Sequence, residues 1–320
     1  MKAIRVHQPG GIDAMVVEDI PDPVPGAGEV LVRLGATGVN YVDTVRRRQK
    51  DPTLPPLTLG VEAAGEVIEV GDGVDGISVG DRVGSVNFDG AYAQLAVAQA
   101  DRVVTLPPDI SDDLTAATLL QGMTAHYLLH DTFPAKAGDT VLVHAAAGGM
   151  GLLLTQLATR MGVRVIATTS TPEKAELARG AGAAEVLGYD DVPDRVRALT
   201  EGRGVDAVFD GVGKSTFDAS LASLRRRGLL VLYGYASGPP EPVHVGRLEA
   251  AGSVYLTRPT LRDYIAERGE LQRRAADVLR WVADGSLTIR IGARYALEDA
   301  ARAHDDLTAR RTTGKLILVP

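Results

Sequence analysis

A glycine-rich turn between a short apolar strand and a helix is the feature that most constrains this chain. Residues 140–144 are predicted to form a strand, and Ala145-Ala146-Ala147-Gly148-Gly149-Met150-Gly151 leads from it directly into a helix. The start of a helix offers unpaired N–H groups and the positive end of the helix dipole, and glycines let the backbone approach an anion. The pattern therefore predicts a dinucleotide-phosphate site, with a tight turn that binds no ligand as the alternative.

The same region alternates strands and helices. Ser170-Thr171-Pro172-Glu173-Lys174 opens a helix with a hydroxyl cap and an early proline, and Gly180 and Gly182 end it. Further strands are predicted at 164–168, 185–187, 206–210 and 229–233. Repeated strand–helix units of this kind build a doubly wound parallel sheet, so an α/β fold is expected.

Two segments flank this block and have a different texture. Residues 1 to about 120 are rich in glycine, proline and short β-like runs, which predicts a compact β-rich domain. A helix at 272–284 and a strand at 315–319 follow the block. A terminal strand outside the block predicts that the chain returns to its first domain. We therefore expect a discontinuous domain of residues 1–122 and 258–320, interrupted by a domain of residues 123–257.

Composition excludes several classes of function. The 320 residues include no cysteine, which excludes disulfides, a thiol nucleophile and thiolate metal sites. His126 and His130 lie four residues apart without the rest of a zinc motif, so no metal is expected. The formal net charge of −7 disfavours nucleic acid as a partner.

The chain also shows no feature of a membrane protein. No apolar run approaches the roughly 20 residues that cross a bilayer. Residues 1–6 alternate like a strand and lack the apolar centre of a signal peptide. A cytoplasmic protein is expected.

The end of the second predicted strand of the α/β block indicates which cofactor is preferred. NAD sites place a carboxylate there to bind the ribose hydroxyls. Here the strand ends in Thr168-Thr169-Ser170, and Lys174 follows one helical turn later. Small hydroxyl groups leave room for a 2′-phosphate and the lysine supplies positive charge, so the pattern predicts NADP(H). An ordinary exposed helix lysine is the alternative.

Several separated motifs, in order along nearly the whole chain, carry a family resemblance. They are Gly38-Val39-Asn40-Tyr41-Val42-Asp43-Thr44, Gly60-Val61-Glu62-Ala63-Ala64-Gly65, Val79-Gly80-Asp81-Arg82-Val83, Gln121-Gly122-Met123-Thr124-Ala125-His126-Tyr127-Leu128-Leu129, the phosphate turn, and Tyr255-Leu256-Thr257-Arg258-Pro259. With these, the chain resembles the zeta-crystallin-like, zinc-free quinone oxidoreductases of the medium-chain dehydrogenase/reductase superfamily. The resemblance implies a GroES-like β-rich catalytic domain, a Rossmann domain with a doubly wound parallel sheet, a cleft between them, and a homodimer.

The resemblance also accounts for the missing cysteines. Zinc alcohol dehydrogenases of this superfamily have a cysteine where Asn40 stands and a histidine where Val61 stands, and their third ligand falls near Leu120. An amide and two aliphatic side chains do not replace a thiolate and imidazole site. Without zinc to lower the pKa of an alcohol, reduction of an electron-poor acceptor is favoured over alcohol oxidation.

Site residues follow from the matched motifs. The resemblance places Asn40 and Thr124 near the nicotinamide, and Lys315 within reach of the cofactor. It implies that the pyrophosphate is bound by Gly148, Gly149, Met150 and Gly151, and that the adenosine phosphate is surrounded by Ser170, Lys174 and Tyr189. The rest of the cofactor trough is expected to be lined by Gly234, Tyr235, Leu256 and Thr257. A turn-capping aromatic is the alternative for Tyr189.

The implied reaction is hydride transfer from NADPH to a quinone-like small molecule. Asn40, Tyr41, Gln121 and Tyr127 are the candidates for positioning the substrate, with packing as the alternative for both tyrosines. Many relatives have lysine where Gln121 stands, so a charge there is not expected to act. An NADPH-dependent enoyl or alkenal reductase is the rival enzyme. A non-catalytic crystallin-like or RNA-binding protein that retains NADPH binding is the rival of another class.

Overall fold

The computed structural model describes residues 1–320 and divides them into two compact units. The discontinuous unit contains Met1–Met123 and Ile265–Pro320, and the inserted unit contains Thr124–Tyr264. The first division lies one residue beyond the position expected from the sequence. The second lies at 264/265 rather than 257/258, because a short helix at Leu261–Tyr264 stays with the inserted unit.

Strands dominate the first segment of the discontinuous unit. They are β1 (Lys2–Val6), β2 (Met15–Asp19), β3 (Glu29–Val39), β4 (Leu57–Thr58), β5 (Glu62–Val70), β6 (Arg82–Ser85), β7 (Leu95–Gln99) and β8 (Val104–Thr105). Helix α1 (Tyr41–Arg48) follows β3, and helix α2 (Asp112–Tyr127) leads into the inserted unit.

The inserted unit alternates strands and helices as expected. Its elements are β9 (Thr140–Val143), α3 (Gly149–Arg160), β10 (Arg164–Thr168), α4 (Pro172–Gly180), β11 (Glu185–Leu187), α5 (Val192–Leu199), β12 (Val205–Asp210), α6 (Phe217–Ser223), β13 (Leu224–Leu232), α7 (Gly246–Ala250), β14 (Tyr255–Thr257) and α8 (Leu261–Tyr264). The chain then returns with α9 (Arg268–Ala283), β15 (Ile291–Ala296), α10 (Ala300–Thr308) and β16 (Lys315–Val319).

The returning strand β16 joins the sheet of the discontinuous unit, as the sequence predicted. This sheet has the order β15-β16-β3-β5-β6-β8, and β7 also pairs with β3. Strand β16 runs antiparallel to β3, with Ile317 opposite Gly38. A smaller sheet has the order β2-β1-β4. The buried apolar side chains of this unit include one cluster around Leu59, Tyr92 and Leu316 and another around Val32, Val67 and Val83.

The inserted unit is built on a six-stranded parallel sheet with the order β11-β10-β9-β12-β13-β14. The chain moves outward from β9 to β11 and then starts again beside β9 with β12. Strand order therefore reverses at β9, which makes this a doubly wound sheet with its switch point between β9 and β12. In such sheets ligands bind beyond the carboxyl ends of the strands at the switch point.

No helix is both long enough and apolar enough to cross a lipid bilayer.

Candidate functional site in two compact units

The turn after β9 lies at the switch point of the parallel sheet. Helix α3 begins at Gly149, with Gly148 as the residue before its first turn, so the start of a twelve-residue helix points to the carboxyl edge of the sheet. Ala145 holds a left-handed backbone conformation with φ of 52°. The predicted glycine turn and the helix after it thus lie where sheets of this class bind phosphates, and phosphate binding by these residues stays a prediction.

Two glycines of this turn meet different surroundings. A Cβ on Gly151 would lie 2.4 Å from both the carbonyl oxygen of Ala145 and the Cα of Ala146, closer than backbone atoms can approach. The nearest atom to a Cβ on Gly148 would be the Ala145 oxygen at 3.3 Å. The fold therefore requires glycine at 151, whereas a Cβ at 148 would meet one backbone oxygen at a slightly tight distance and nothing else.

This contrast yields a prediction for two matched alanine substitutions. Gly151→Ala should destabilise the protein by about 1–3 kcal/mol, since a methyl group is forced against backbone. Gly148→Ala should change stability little and weaken NADPH binding, since the added methyl reaches the space that an anion needs. Thermal unfolding and a fluorescence titration with NADPH check both effects. Equal thermal losses, or an unchanged NADPH affinity for Gly148→Ala, would contradict this division of roles.

A buried polar network supports the turn from below. His144, directly after β9, has Nδ1 2.9 Å from Thr168 Oγ1 and Nε2 3.0 Å from Ser220 Oγ. Ser220 donates to Asp210 Oδ2 at 2.7 Å, and Thr216 also donates to that carboxylate. The network joins the carboxyl ends of β10, β9 and β12, where a cofactor binds in this class of sheet.

Donor and acceptor chemistry assigns the hydrogens in this network. Because the Ser220 hydroxyl donates to Asp210, its oxygen accepts from His144 Nε2–H, and Nδ1 accepts from Thr168. Burial lowers the pKa of His144, although the charge of Asp210 opposes the shift. A neutral His144 therefore lies beneath the phosphate turn.

The predicted residues around the adenosine phosphate surround the start of α4. Thr171 caps this helix by accepting the N–H of Lys174 at 3.3 Å, and Ser170 is exposed beside it. The Tyr189 hydroxyl accepts the N–H of Ala145 at 3.2 Å, which leaves its own hydrogen to donate elsewhere. The structure thus connects Tyr189 to the phosphate turn.

The predicted trough residues lie at the ends of β13 and β14. Gly234 and Tyr235 follow β13, and Leu256 and Thr257 belong to β14 beside it. The Arg258 guanidinium stacks over the Tyr235 ring, 4.6 Å from its centre. Thr124, on α2, is 8% exposed. Binding of the cofactor by these residues stays a prediction.

In the discontinuous unit, Asn40 belongs to a buried cluster of three polar side chains. Its Nδ2 donates to Glu62 Oε2 at 2.8 Å, while Lys315 Nζ donates to Asn40 Oδ1 at 2.6 Å and to Glu62 Oε2 at 2.7 Å. Glu62 Oε1 accepts the backbone N–H of Leu120 at 2.7 Å. The ammonium expected to reach the cofactor is therefore bonded to side chains of its own unit, and a direct contact with the cofactor stays a prediction.

A second buried chain of hydrogen bonds starts at the backbone of Asn40. Its N–H donates to Asp43 Oδ2 at 2.9 Å, and the Tyr92 hydroxyl lies 3.1 Å from the same oxygen. Tyr92 is 3.1 Å from His304 Nε2, and Arg47 donates to His304 Nδ1 at 3.1 Å. Because arginine only donates, His304 carries its hydrogen on Nε2 and Tyr92 donates to Asp43.

Burial has opposite effects on the two titratable groups of this chain. It raises the pKa of the Asp43 carboxyl to about 6, although the Asn40 N–H and the charge of Lys315 oppose the shift. Burial, with the charges of Arg47 and Arg48, lowers the pKa of His304 to about 3. Oδ1 of Asp43 is buried without a hydrogen-bond partner, in keeping with a carboxylate that is costly to ionise.

This shift predicts how stability depends on pH. Between about pH 4 and 6 the folded protein holds a proton on Asp43 that the unfolded chain has released. The free energy of unfolding therefore falls as pH rises through this window, and the loss persists above pH 6. Asp43→Asn should therefore gain stability relative to the parent across this window, by up to about 3 kcal/mol. Urea unfolding of both proteins from pH 4 to 8 gives the difference between their free energies of unfolding, from which the contributions of groups that titrate alike in both proteins cancel. A difference that does not change with pH would contradict the assignment.

The predicted substrate residues have different surroundings. The Tyr41 hydroxyl donates to the Leu307 carbonyl at 3.1 Å, and burial raises its pKa. Tyr127 is 1% exposed and its ring stacks on Tyr264 with centres 4.0 Å apart, which favours the packing alternative. The Oε1 of Gln121 is buried without a hydrogen-bond partner, and substrate contact by Gln121 stays a prediction.

Sequence reasoning did not single out several of the network residues. Glu62 is a lone carboxylate before the apolar run Ala63-Ala64-Gly65, and Asp210 is a carboxylate that ends a buried strand. A charge in such a position is a signal that could have identified both. Tyr92 and His304 carry no comparable local signal, because only the folded chain brings them to Asp43.

Two family models and a related protein of known name are similar to this chain. Residues 149–283 match a family model described as zinc-binding dehydrogenase, and residues 26–108 match the alcohol dehydrogenase GroES-like domain. A quinone oxidoreductase of Pseudomonas aeruginosa is 43% identical over 323 residues, covering 100% of this chain and 99% of that protein.

Two further proteins are similar over their whole length. A 2-haloacrylate reductase of a Burkholderia species is 41% identical over 328 residues, covering 99% of this chain and 98% of that protein. A solved structure of a mycobacterial protein complexed with NADPH is 50% identical, with a TM-score of 0.97 and 100% of both chains covered.

Proposed function

This chain belongs to the quinone oxidoreductases of the medium-chain dehydrogenase/reductase superfamily, and we propose that it transfers a hydride from NADPH to a quinone or a similarly electron-poor acceptor. The observation that carries the proposal is the pair of features on its two units. The inserted unit has a dinucleotide turn at a switch point, and the discontinuous unit has an amide, Asn40, where zinc relatives have a thiolate.

NADPH fits the inserted unit better than NADH. Strand β10 ends without a carboxylate that would repel a 2′-phosphate, and Ser170, Lys174 and Tyr189 supply hydroxyl groups and a positive charge. The mycobacterial structure complexed with NADPH, at 50% identity over the whole chain, supports the same choice.

The surroundings of Asn40 favour reduction of a quinone over oxidation of an alcohol. Asn40, Val61 and Leu120 offer no thiolate or imidazole, so these residues do not fit a catalytic zinc. NADPH supplies the hydride, and this chain contributes mainly by positioning the acceptor against the nicotinamide. A quinone oxygen can take its proton from water, so no strong general acid is required.

An acceptor panel tests the proposed reaction. NADPH oxidation followed at fixed enzyme concentration should be rapid with 1,4-benzoquinone and 9,10-phenanthrenequinone. It should be slow with simple aldehydes, and alcohols should not reduce NADP. Turnover of an alcohol at a rate similar to that of the quinones would refute the proposal.

A double-bond reductase is the second candidate. The similarity to a 2-haloacrylate reductase at 41% identity favours it, because that name describes reduction of an electron-poor alkene. The same panel with 2-haloacrylates, 2-alkenals and crotonyl thioesters separates the two, since the ranking of kcat/KM values identifies the preferred acceptor class. NADPH binding without turnover of any acceptor would favour the non-catalytic rival.

Cofactor preference gives a separate prediction at Lys174. Lys174→Ala should weaken NADPH by about tenfold or more and leave NADH nearly unchanged, since only NADPH carries the 2′-phosphate. Arg179→Ala is the matched control, because Arg179 lies on the same helix and pairs with Glu176. Dissociation constants from fluorescence titration measure both. Equal losses for the two cofactors would reject the assignment.

We also propose a homodimer located in the cytoplasm. Strand β14 is an edge strand that pairs only with β13, and its Tyr255 is 63% exposed. An exposed sheet edge is a surface on which a second copy can continue the sheet. Light scattering should give twice the chain mass of 33.7 kDa, and a monomer would reject the assembly. Cell fractionation tests the location.

A further inference from the structure

Three side chains from distant parts of the sequence form a closed triangle in the discontinuous unit. Asn40 follows β3, Glu62 begins β5 and Lys315 begins β16. The distances are 2.8 Å from Asn40 Nδ2 to Glu62 Oε2, 2.6 Å from Lys315 Nζ to Asn40 Oδ1, and 2.7 Å from Lys315 Nζ to Glu62 Oε2. All three side chains are buried, with Glu62 at 0% exposure.

The chemistry of the three groups allows one orientation of the Asn40 amide. An ammonium only donates hydrogen bonds and an ionised carboxylate only accepts them. The amide oxygen must therefore face Lys315 and the amide nitrogen must face Glu62. Rotating the amide by 180° would set two donors against each other at Lys315 and two acceptors against each other at Glu62. Burial makes such unsatisfied contacts costly.

The carboxylate and the backbone are themselves anchored. Glu62 Oε1 accepts the Leu120 N–H, so the carboxylate has little freedom to rotate. The Asn40 N–H is bonded to Asp43, which holds the backbone at the start of α1. The amide nitrogen also donates to the Gly38 carbonyl, at the longer distance of 3.3 Å. The orientation of the amide is thus set by contacts on both of its polar ends and at its backbone.

We infer that Glu62 and Lys315 are positioning residues that act through Asn40, holding its amide in the one orientation in which it can serve hydride transfer. The inference rests on the proposed function and deepens it. It also gives Lys315 a role without direct contact with the cofactor. A small displacement of a group that orients the reactants lowers the rate of reaction strongly. Glu62 and Lys315 are therefore expected to affect turnover as well as folding.

The test removes both charges together. The double variant Glu62→Gln/Lys315→Met removes the buried ion pair as a unit, whereas Lys315→Met alone leaves the Glu62 carboxylate without its cation. Both variants lose the Lys315 charge that favours ionised Asp43, so the double variant should be the more stable of the two. In the double variant kcat with a quinone should fall by about tenfold or more, because the amide keeps only its longer bond to the Gly38 carbonyl, at 3.3 Å, and is less firmly held. The same pair of changes placed on Asn40→Ala should cause no further loss, because the residue through which they act is gone. Equal losses with and without Asn40, or a double variant with the parental kcat, would overturn the inference.

Asn40→Asp is a second variant of nearly identical shape. It places a carboxylate against Glu62, with Lys315 in contact with both and Asp43 bonded to the backbone of residue 40 in parent and variant alike. One cation does not offset two adjacent carboxylates, so activity relative to the parent should be low at neutral pH and should rise as pH falls and one of the two gains a proton. A pH profile parallel to that of the parent would overturn the inference even if the double variant failed to fold.

A surface pair serves as the matched control. Lys2 Nζ lies 2.7 Å from Glu298 Oε1, the same separation as the buried pair, but both side chains are about half exposed. Glu298→Gln/Lys2→Met should leave kcat and the KM for NADPH unchanged.

Failure of the proposed function would be visible separately. If the parent protein reduces no quinone, the proposed function fails. The inference is then tested by the NADPH dissociation constants of the same set of variants. Glu62→Gln/Lys315→Met should raise the NADPH dissociation constant when Asn40 is present and should not raise it further on Asn40→Ala. Losses of affinity that simply add would overturn the inference.

Discussion

The pairing of β16 with β3 is the contact on which the discontinuous unit depends. A chain that leaves this unit at Met123 and re-enters it at Ile265 must close the unit with residues far apart in sequence. Strand β16 does so by adding backbone hydrogen bonds beside β3 and by burying Leu316, Ile317 and Leu318. The same strand carries Lys315 to Asn40 and Glu62, so the step that completes the sheet also completes the polar cluster.

Both units place buried, hydrogen-bonded polar groups beneath their functional surfaces. His144 is held without charge under the phosphate turn, and Lys315 and Glu62 cancel each other's charge beside Asn40. Charges left unpaired in such buried positions would be expensive. The positive field that attracts an anionic cofactor therefore comes from the start of α3 and from Lys174, since the uncharged His144 adds none and Asp210 carries the opposite charge.

Much of the fold was predictable because its signals are local. The strand before the phosphate turn, the helix cap at Thr171 and the parallel strands of the inserted unit each depend on neighbouring residues, and the structure confirms them. The return of the terminal strand was predicted from its position outside the alternating block, and it is also confirmed. The end of the inserted unit was harder to predict, because the four-residue helix α8 has no sequence pattern that separates it from the helix that follows.

The sequence by itself determined that the chain has a glycine-rich turn between a strand and a helix, a strand end without a carboxylate, and no thiolate or imidazole at Asn40, Val61 and Leu120. These are properties of residue type and short spacing, which local chemistry alone interprets. Only the tertiary structure decided that Tyr127 stacks on Tyr264, that Gly151 is needed by the backbone around it, and that Lys315 bonds to Asn40 across 275 positions of sequence. The physical reason is that these contacts join residues that are far apart in sequence. The partner of a buried charge is the group that the folded sheet brings within hydrogen-bonding distance, and the residues next to it in sequence do not specify that group.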